Sequence, residues 1–181
     1  MVQERDTGNQ NTNNVTGGHE GGVAIIRMSG TSAVQTASKL FQRIAPPSQG
    51  GAGSRNSNGA QFSPISHRIY YGHVVDSSGQ VLDEVLLLPM LKPRSYTRED
   101  VVELHCHGGG ICAQRVLEEC LQHGCRLAAP GEFTLRAFLN GRLDMSQAES
   151  VAQLVTARTS SAADSALAGL QVRHPQLARR Y

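Results

Sequence analysis

Val101-Val-Glu-Leu-His-Cys-His-Gly-Gly-Gly110 is the stretch on which the fold turns. Its first six residues alternate with a period of two, the repeat of an extended strand. Val102, Leu104 and Cys106 fall on one face, and Glu103 and His105 share the other. His107 joins the polar set if the strand continues. The glycine run then breaks the strand and opens a helix. Ala113, Val116, Leu117, Cys120 and Leu121 form its apolar stripe, and Gly124 is a natural stop. One apolar strand face followed directly by an amphipathic helix predicts a sheet with helices packed against it.

The flanking sequence extends this pattern. Towards the N-terminus, Gly22-Val-Ala-Ile-Ile-Arg-Met28 reads as a buried strand. Ser29-Gly30-Thr31-Ser32 supplies a turn and N-caps, and Ala33, Ala37, Leu40, Phe41 and Ile44 mark a helix face that Pro46-Pro47 ends. Ile69–Val75 and Val81–Leu91 are strands joined by the turn Asp76-Ser-Ser-Gly79, a hairpin pattern. Arg126-Leu-Ala-Ala129 is a candidate for one more strand. Beyond Pro130 the pattern is helical only. Leu135, Phe138 and Leu139 give one face, with Glu132 and Arg136 spaced to pair. Ser146 and Glu149 have capping-box spacing ahead of a stripe of Ala148, Val151, Ala152 and Val155. Ala163, Ala166, Leu167 and Leu170 mark a last helix, ended by Pro175.

The predicted class is therefore α+β: a mixed β-sheet with packed helices, followed by a short α-helical extension. Residues 1–20 are rich in Asn, Gln, Gly and Thr and are expected to be disordered. Residues 48–63, rich in Gly, Ser and Asn, read as a flexible insert. The main domain is expected over 21–140 and the helical extension over 141–181.

Composition narrows the function classes. The 181 residues are 39% hydrophobic with a net charge of +2, too weakly basic to point to nucleic acid by itself. No apolar run approaches the ~18 residues of a membrane span, and the N-terminus has no apolar signal core. Cys106, Cys112, Cys120 and Cys125 form no Cys-x-x-Cys pair, which suits reduced thiols in an intracellular compartment.

Several residues could carry chemistry. Glu103, His105 and His107 on one strand face are a possible metal set, since imidazole and carboxylate suit divalent ions; a solvated polar face is the alternative. Gly108-Gly109-Gly110 could present backbone N–H groups to an anion, or could simply make a tight turn. It has neither the dinucleotide-binding nor the Walker order of glycines. Arg27 ends an apolar strand. Arg142 lies between two helices, where a cation can serve a helix C-terminus. There is no Gly-x-Ser-x-Gly elbow for nucleophilic catalysis.

Three blocks together resemble the MnmE/TrmE family of tRNA-modification GTPases: Gly21-Gly-Val-Ala-Ile-Ile-Arg-Met-Ser-Gly30; Ser95-Tyr-Thr-Arg-Glu-Asp-Val-Val-Glu-Leu-His-Cys-His-Gly-Gly109; and Pro130-Gly-Glu-Phe-Thr-Leu-Arg-Ala-Phe-Leu-Asn-Gly-Arg-Leu-Asp-Met-Ser-Gln-Ala-Glu149, continued to Gln171. The resemblance implies an N-terminal domain related to folate-binding aminomethyltransferase domains. Such a domain binds a tetrahydrofolate derivative (5-formyl-tetrahydrofolate or methylene-tetrahydrofolate) and forms a homodimer. Matched residue by residue, Glu103 falls at the family's folate-contacting carboxylate, and Arg27 and Arg142 fall at its cationic contacts. The complete family protein acts with an FAD-dependent MnmG-type partner on the wobble uridine of tRNA. The family implies bacterial cytoplasm, or mitochondrion or chloroplast in a eukaryote, and the lack of a membrane-length apolar run leads to the expectation of no membrane partner. Asn14-Val-Thr-Gly-Gly-His-Glu20 departs from the family's opening turn. No Walker-type loop, GTPase switch motif or C-terminal catalytic cysteine motif is present, so the chain is expected to be a fragment, a truncated gene product or a standalone remnant that does not hydrolyse GTP.

Overall fold

The structure, a computed structural model, describes residues 1–6, 21–44, 63–108 and 110–171. They fall into two compact units, Met1–Ser95 with Glu99–Ala128, and Tyr96–Arg98 with the residues from Ala129 onward.

The first unit is a six-stranded sheet with helices against one face. Its elements run β1 (Val2–Asp6), β2 (Val23–Ser29), α1 (Ala33–Leu40), β3 (Phe41–Arg43), β4 (Tyr70–Val75), β5 (Val81–Met90), β6 (Val101–His107) and α2 (Gly110–Gln122). The strand order is β1-β2-β6-β5-β4-β3. The α+β class is as expected, and the sheet expected to be mixed is antiparallel at every described pairing. The alternation read in β6 sets its register. Val102, Leu104 and Cys106 join Ala24, Ile26 and Met28 of β2 and Val85 and Leu87 of β5 in one buried cluster. Ala33, Ala37 and Leu40 of α1 and Ala113, Val116 and Cys120 of α2 close that cluster from above. Burying a Leu, Ile, Val or Met side chain is worth roughly 1.5–3 kcal/mol, so this face holds the unit together.

Local chemistry sets the ends of the elements. In the hairpin, Asp76 Oδ1 accepts from the backbone N–H of Ser78 (2.8 Å) and Gln80 (2.9 Å), and Gly79 takes the left-handed conformation at φ 84°. The Ser78 hydroxyl, together with these backbone donors, holds the Asp76 carboxyl below the usual carboxylate range. Helix α2 ends in a Schellman motif: Gly124 at φ 90°, its N–H on the Leu121 carbonyl, and the Cys125 N–H on the Cys120 carbonyl.

Three readings of this unit are corrected. The first helix stops at Leu40 instead of running on to Ile44, because Phe41 turns extended and starts β3 on the edge of β4. Gly72 permits that pairing, since a Cβ there would run into the Gln42 carbonyl and the Phe41 ring. Val2–Asp6, inside the segment expected to be disordered, pairs with β2 as an edge strand. Arg126–Ala129 is no strand and has only an isolated bridge at Leu127. Residues 7–20, the insert at 48–63 except Ser63, and Pro175 lie outside the described residues.

The second unit contains α3 (Glu132–Leu139), α4 (Met145–Thr156) and α5 (Ser160–Gln171). Glu132 and Arg136 pair as their spacing predicts, at 2.9 Å. The packed face of α3 differs from the expected one: Phe133 and Ala137 are buried, whereas Leu135, Phe138 and Leu139 are exposed. The capping box of α4 also shifts. Asp144 is the N-cap and Gln147 its reciprocal partner, with Gln147 N–H on Asp144 Oδ1 at 2.8 Å. Both Asp144-Met-Ser-Gln147 and Ser146-Gln-Ala-Glu149 fit the pattern, and the chain caps at the earlier, acidic residue. Helices α4 and α5 meet through small residues. Ser150 and Ala166 are buried, Ser150 lies against Gly169, and Val155, placed in the predicted stripe, is exposed. No helix among the described residues is long and apolar enough to cross a membrane.

Candidate functional site

The face of the sheet opposite α1 and α2 carries the polar half of β6. Antiparallel register places Arg27 of β2 directly opposite Glu103, and Leu88 of β5 on its other side. The next row is Ile25, His105, Leu86 and Tyr71, one residue from each of four strands. Val23 faces His107 at the end of the ladder. Each of these residues is fixed by the same alternation that sends Val102, Leu104 and Cys106 into the core.

Arg27 and Glu103 form a tight pair. Arg27 Nε donates to Glu103 Oε1 at 2.6 Å, and Nη2 reaches the same oxygen at 2.6 Å. The Glu103 side chain is only 9% exposed and that of Arg27 21%. The other carboxylate oxygen, Oε2, lies 3.3 Å from His105 Nε2. An acid this deeply covered is held by charge-assisted bonds.

The next residues on β6 and β5 form a second arrangement. His107 Nδ1 is 2.7 Å from Asp83 Oδ1, and its backbone N–H donates to Asp83 Oδ2 at 2.8 Å. The Asp83 side chain is 7% exposed and that of His107 66%. The Asp83 hydrogen bond and charge, helped by Glu84, raise the affinity of His107 for its proton. Glu84 is itself engaged by the Tyr71 hydroxyl, and His73 lies 3.9 Å away. The bond to Glu84 raises the proton affinity of the Tyr71 hydroxyl.

The metal set of Glu103, His105 and His107 is thus divided. Glu103 turns to Arg27 and His105, and His107 turns to Asp83. Among the described residues no group of three or more His, Cys, Asp or Glu side chains is arranged to hold a metal ion. Gly109 lies outside the described residues, and Gly108 packs closely against the start of β2. Its N–H donates to the Gly22 carbonyl at 3.0 Å, and a Cβ would strike the Gly21 backbone. Arg142 lies in the second unit, where its N–H on the Ala137 carbonyl closes α3 and its guanidinium sits 4.8 Å from the centre of the Tyr96 ring.

Sequence reasoning brought Arg27, Glu103 and His105 to attention but missed Asp83. The signal was present: Asp83 stands in the buried register of β5 with Val85 and Leu87, where a carboxylate requires a partner.

With this geometry in place, comparison with known proteins decides the family. The sequence model of "GTP-binding protein TrmE N-terminus" matches residues 12–142. The chain belongs to this family. Relatives described as tRNA modification GTPase MnmE include those of Synechococcus sp. (54% identical over 153 residues), Acaryochloris marina (56% over 153) and Nostoc sp. (55% over 159). The matches cover 84%, 84% and 86% of this chain and 30%, 30% and 31% of the relatives. The chain therefore spans about three tenths of the length of these curated MnmE relatives. In TrmE terms, the described Arg27–Glu103 pair lies within the matched region, on strands two and six of its sheet.

Proposed function

We propose that the chain binds a one-carbon tetrahydrofolate, as 5-formyl-tetrahydrofolate or methylene-tetrahydrofolate, and that it serves as the folate-binding and dimerising N-terminal part of a tRNA wobble-uridine modification GTPase. The supporting observation is Glu103, a nearly covered carboxylate held by Arg27 on the sheet face opposite α1 and α2. A pterin edge offers a ring N–H beside an amino group, a donor pair that a fixed carboxylate accepts. Arg27 balances the charge. Arg142 rests on the family match alone. The homodimer likewise rests on the family match. An FAD-dependent MnmG-type partner and tRNA belong to the complete family protein. The compartment would be bacterial cytoplasm, or mitochondrion or chloroplast in a eukaryote.

The test is calorimetric titration of the full chain with 5-formyl-tetrahydrofolate, alongside sizing by sedimentation. Saturable one-to-one binding that is weakened about tenfold or more in Glu103→Ala supports the reading. Unchanged affinity in that variant rejects the site, and a monomer at all concentrations rejects the dimer.

A further inference from the structure

We infer that His107 marks the far end of the ligand's seat, donating from Nε2 to the amide carbonyl of the p-aminobenzoyl-glutamate arm while Glu103 holds the pterin. The inference rests on the folate reading above and adds a residue, a ligand group and an orientation along β6.

His107 is built to present one ring nitrogen outward. Asp83, buried near the start of β5, takes the His107 backbone N–H on Oδ2 and the ring at Nδ1 on Oδ1, and accepts the Glu84 N–H on Oδ1 at 2.8 Å. A buried carboxylate in that role fixes Nδ1 as a donor. The ring is thereby oriented although the side chain is 66% exposed. A pair serving only stability would gain by covering both partners; here the acid is covered and the base is presented.

The spacing fits one ligand. His107 continues the alternation of β6, so its Cβ leaves the sheet on the face of Glu103 and His105. Four residues of antiparallel strand span about 13 Å, close to the reach of a pterin plus a para-substituted benzoyl group. Between the two ends, His105 stands with Ile25 and Leu86 on either side. Leu86 is 41% exposed, and this row offers a flat apolar seat for the benzoyl ring.

Charge selects which group of the arm His107 receives. Asp83 of β5 binds the ring, the charge of Glu84 beside it also acts on the ring, His73 of β4 stands beyond Glu84, and Glu103 and His105 precede His107 on β6. Two nearby acids disfavour a free carboxylate at this point. A neutral carbonyl accepts the proton of a charged donor without that repulsion.

The experiment uses the full chain and two ligands, 5-formyl-tetrahydrofolate and 6-methyl-tetrahydropterin, which lacks the arm. In His107→Asn the amide nitrogen overlays Nδ1 and keeps the Asp83 bond, so the fold is preserved while the outer donor is lost. In His107→Gln the amide nitrogen overlays Nε2. The expected result is a loss of roughly tenfold or more in formyl-tetrahydrofolate affinity for His107→Asn, unchanged pterin affinity, and near wild-type binding of both by His107→Gln. Unchanged folate affinity in His107→Asn, or equal loss for both ligands, overturns the role of His107 while the folate reading stands. A wild-type chain that binds neither ligand overturns the folate reading and this inference with it.

Discussion

Cutting the Arg27–Glu103 pair separates its structural contribution from its binding role. Two donors converge on Glu103 Oε1 at 2.6 Å each, with the side chains 21% and 9% exposed. Removing one partner of a buried pair costs about 3–5 kcal/mol. Arg27 retains some access to water, which recovers part of that cost, so Glu103→Leu should destabilise by about 2–3 kcal/mol. At roughly 2–4 °C per kcal/mol for a chain of this size, Tm should fall by about 5–10 °C. Arg27→Met added to Glu103→Leu leaves no stranded charge and restores most of the loss, a coupling of about 1.5–2 kcal/mol in a double-mutant cycle. Urea denaturation followed by circular dichroism measures all four corners of the cycle. Folate titration of the same proteins should show binding lost in every variant, including the stable double variant. A cycle that closes without coupling refutes the buried-pair argument. Retained folate affinity in the double variant shows that the ligand sits elsewhere.

Gly72→Ala drives a Cβ into the Gln42 carbonyl and the Phe41 ring, neither of which can move aside, so about 3 kcal/mol should be lost in urea denaturation. Gly110→Ala, with open space at the Cβ, is the matched control and should cost nothing. Asp144→Ala removes both the acceptor for Gln147 N–H and the capping box of α4, and should cost about 1 kcal/mol by the same assay. His107 should titrate by NMR above the free-histidine value and return towards it in Asp83→Asn. Because its folded pKa is raised, the pair's stabilisation is fully present below the unfolded value and is lost as pH rises through the folded one. A His107 that titrates at or below the free value contradicts the dyad.

What the sequence made legible followed from period. Alternation in β6 gave the buried face and the polar face residue by residue, because a strand buried on one side cannot slip register without exposing its core. The α2 stripe was legible for the corresponding reason. Leu135, Phe138 and Leu139 misled because an apolar triplet at helical spacing marks a face without saying whether anything covers it; in α3 the shorter row of Phe133 and Ala137 is the packed one. Phe41 misled because it satisfied both the helix stripe and a strand start, and only Gly72, distant in sequence, allows the strand. The edge strand Val2–Asp6 was invisible because its pairing is supplied by β2 rather than by its own composition. For the site, the sequence offered Arg27, Glu103 and His105 as candidates, but the contact between Arg27 and Glu103 depends on strand pairing across a long separation. Asp83 was passed over because a single acid in an apolar run resembles a surface residue until the register is known.

That pairing bears on what Arg27 does. Two of its nitrogens reach one oxygen of Glu103, so its first effect is on the carboxylate, anchoring Oε1 on the β2 side. The fork geometry needed for this belongs to arginine and not to lysine, whose single ammonium can balance charge without fixing orientation. Among the described residues Glu103 Oε2 meets the longer 3.3 Å contact from His105, and it is the oxygen on which a further, stronger donor gains most. Orientation from β2, acceptance from β6 and a longer, more easily displaced contact from His105 together favour a planar hydrogen-bonding ligand over a spherical ion. A cation at Oε2 would meet the charge of the Arg27 guanidinium already seated on the same carboxylate, whereas the neutral edge of a pterin at that oxygen would not.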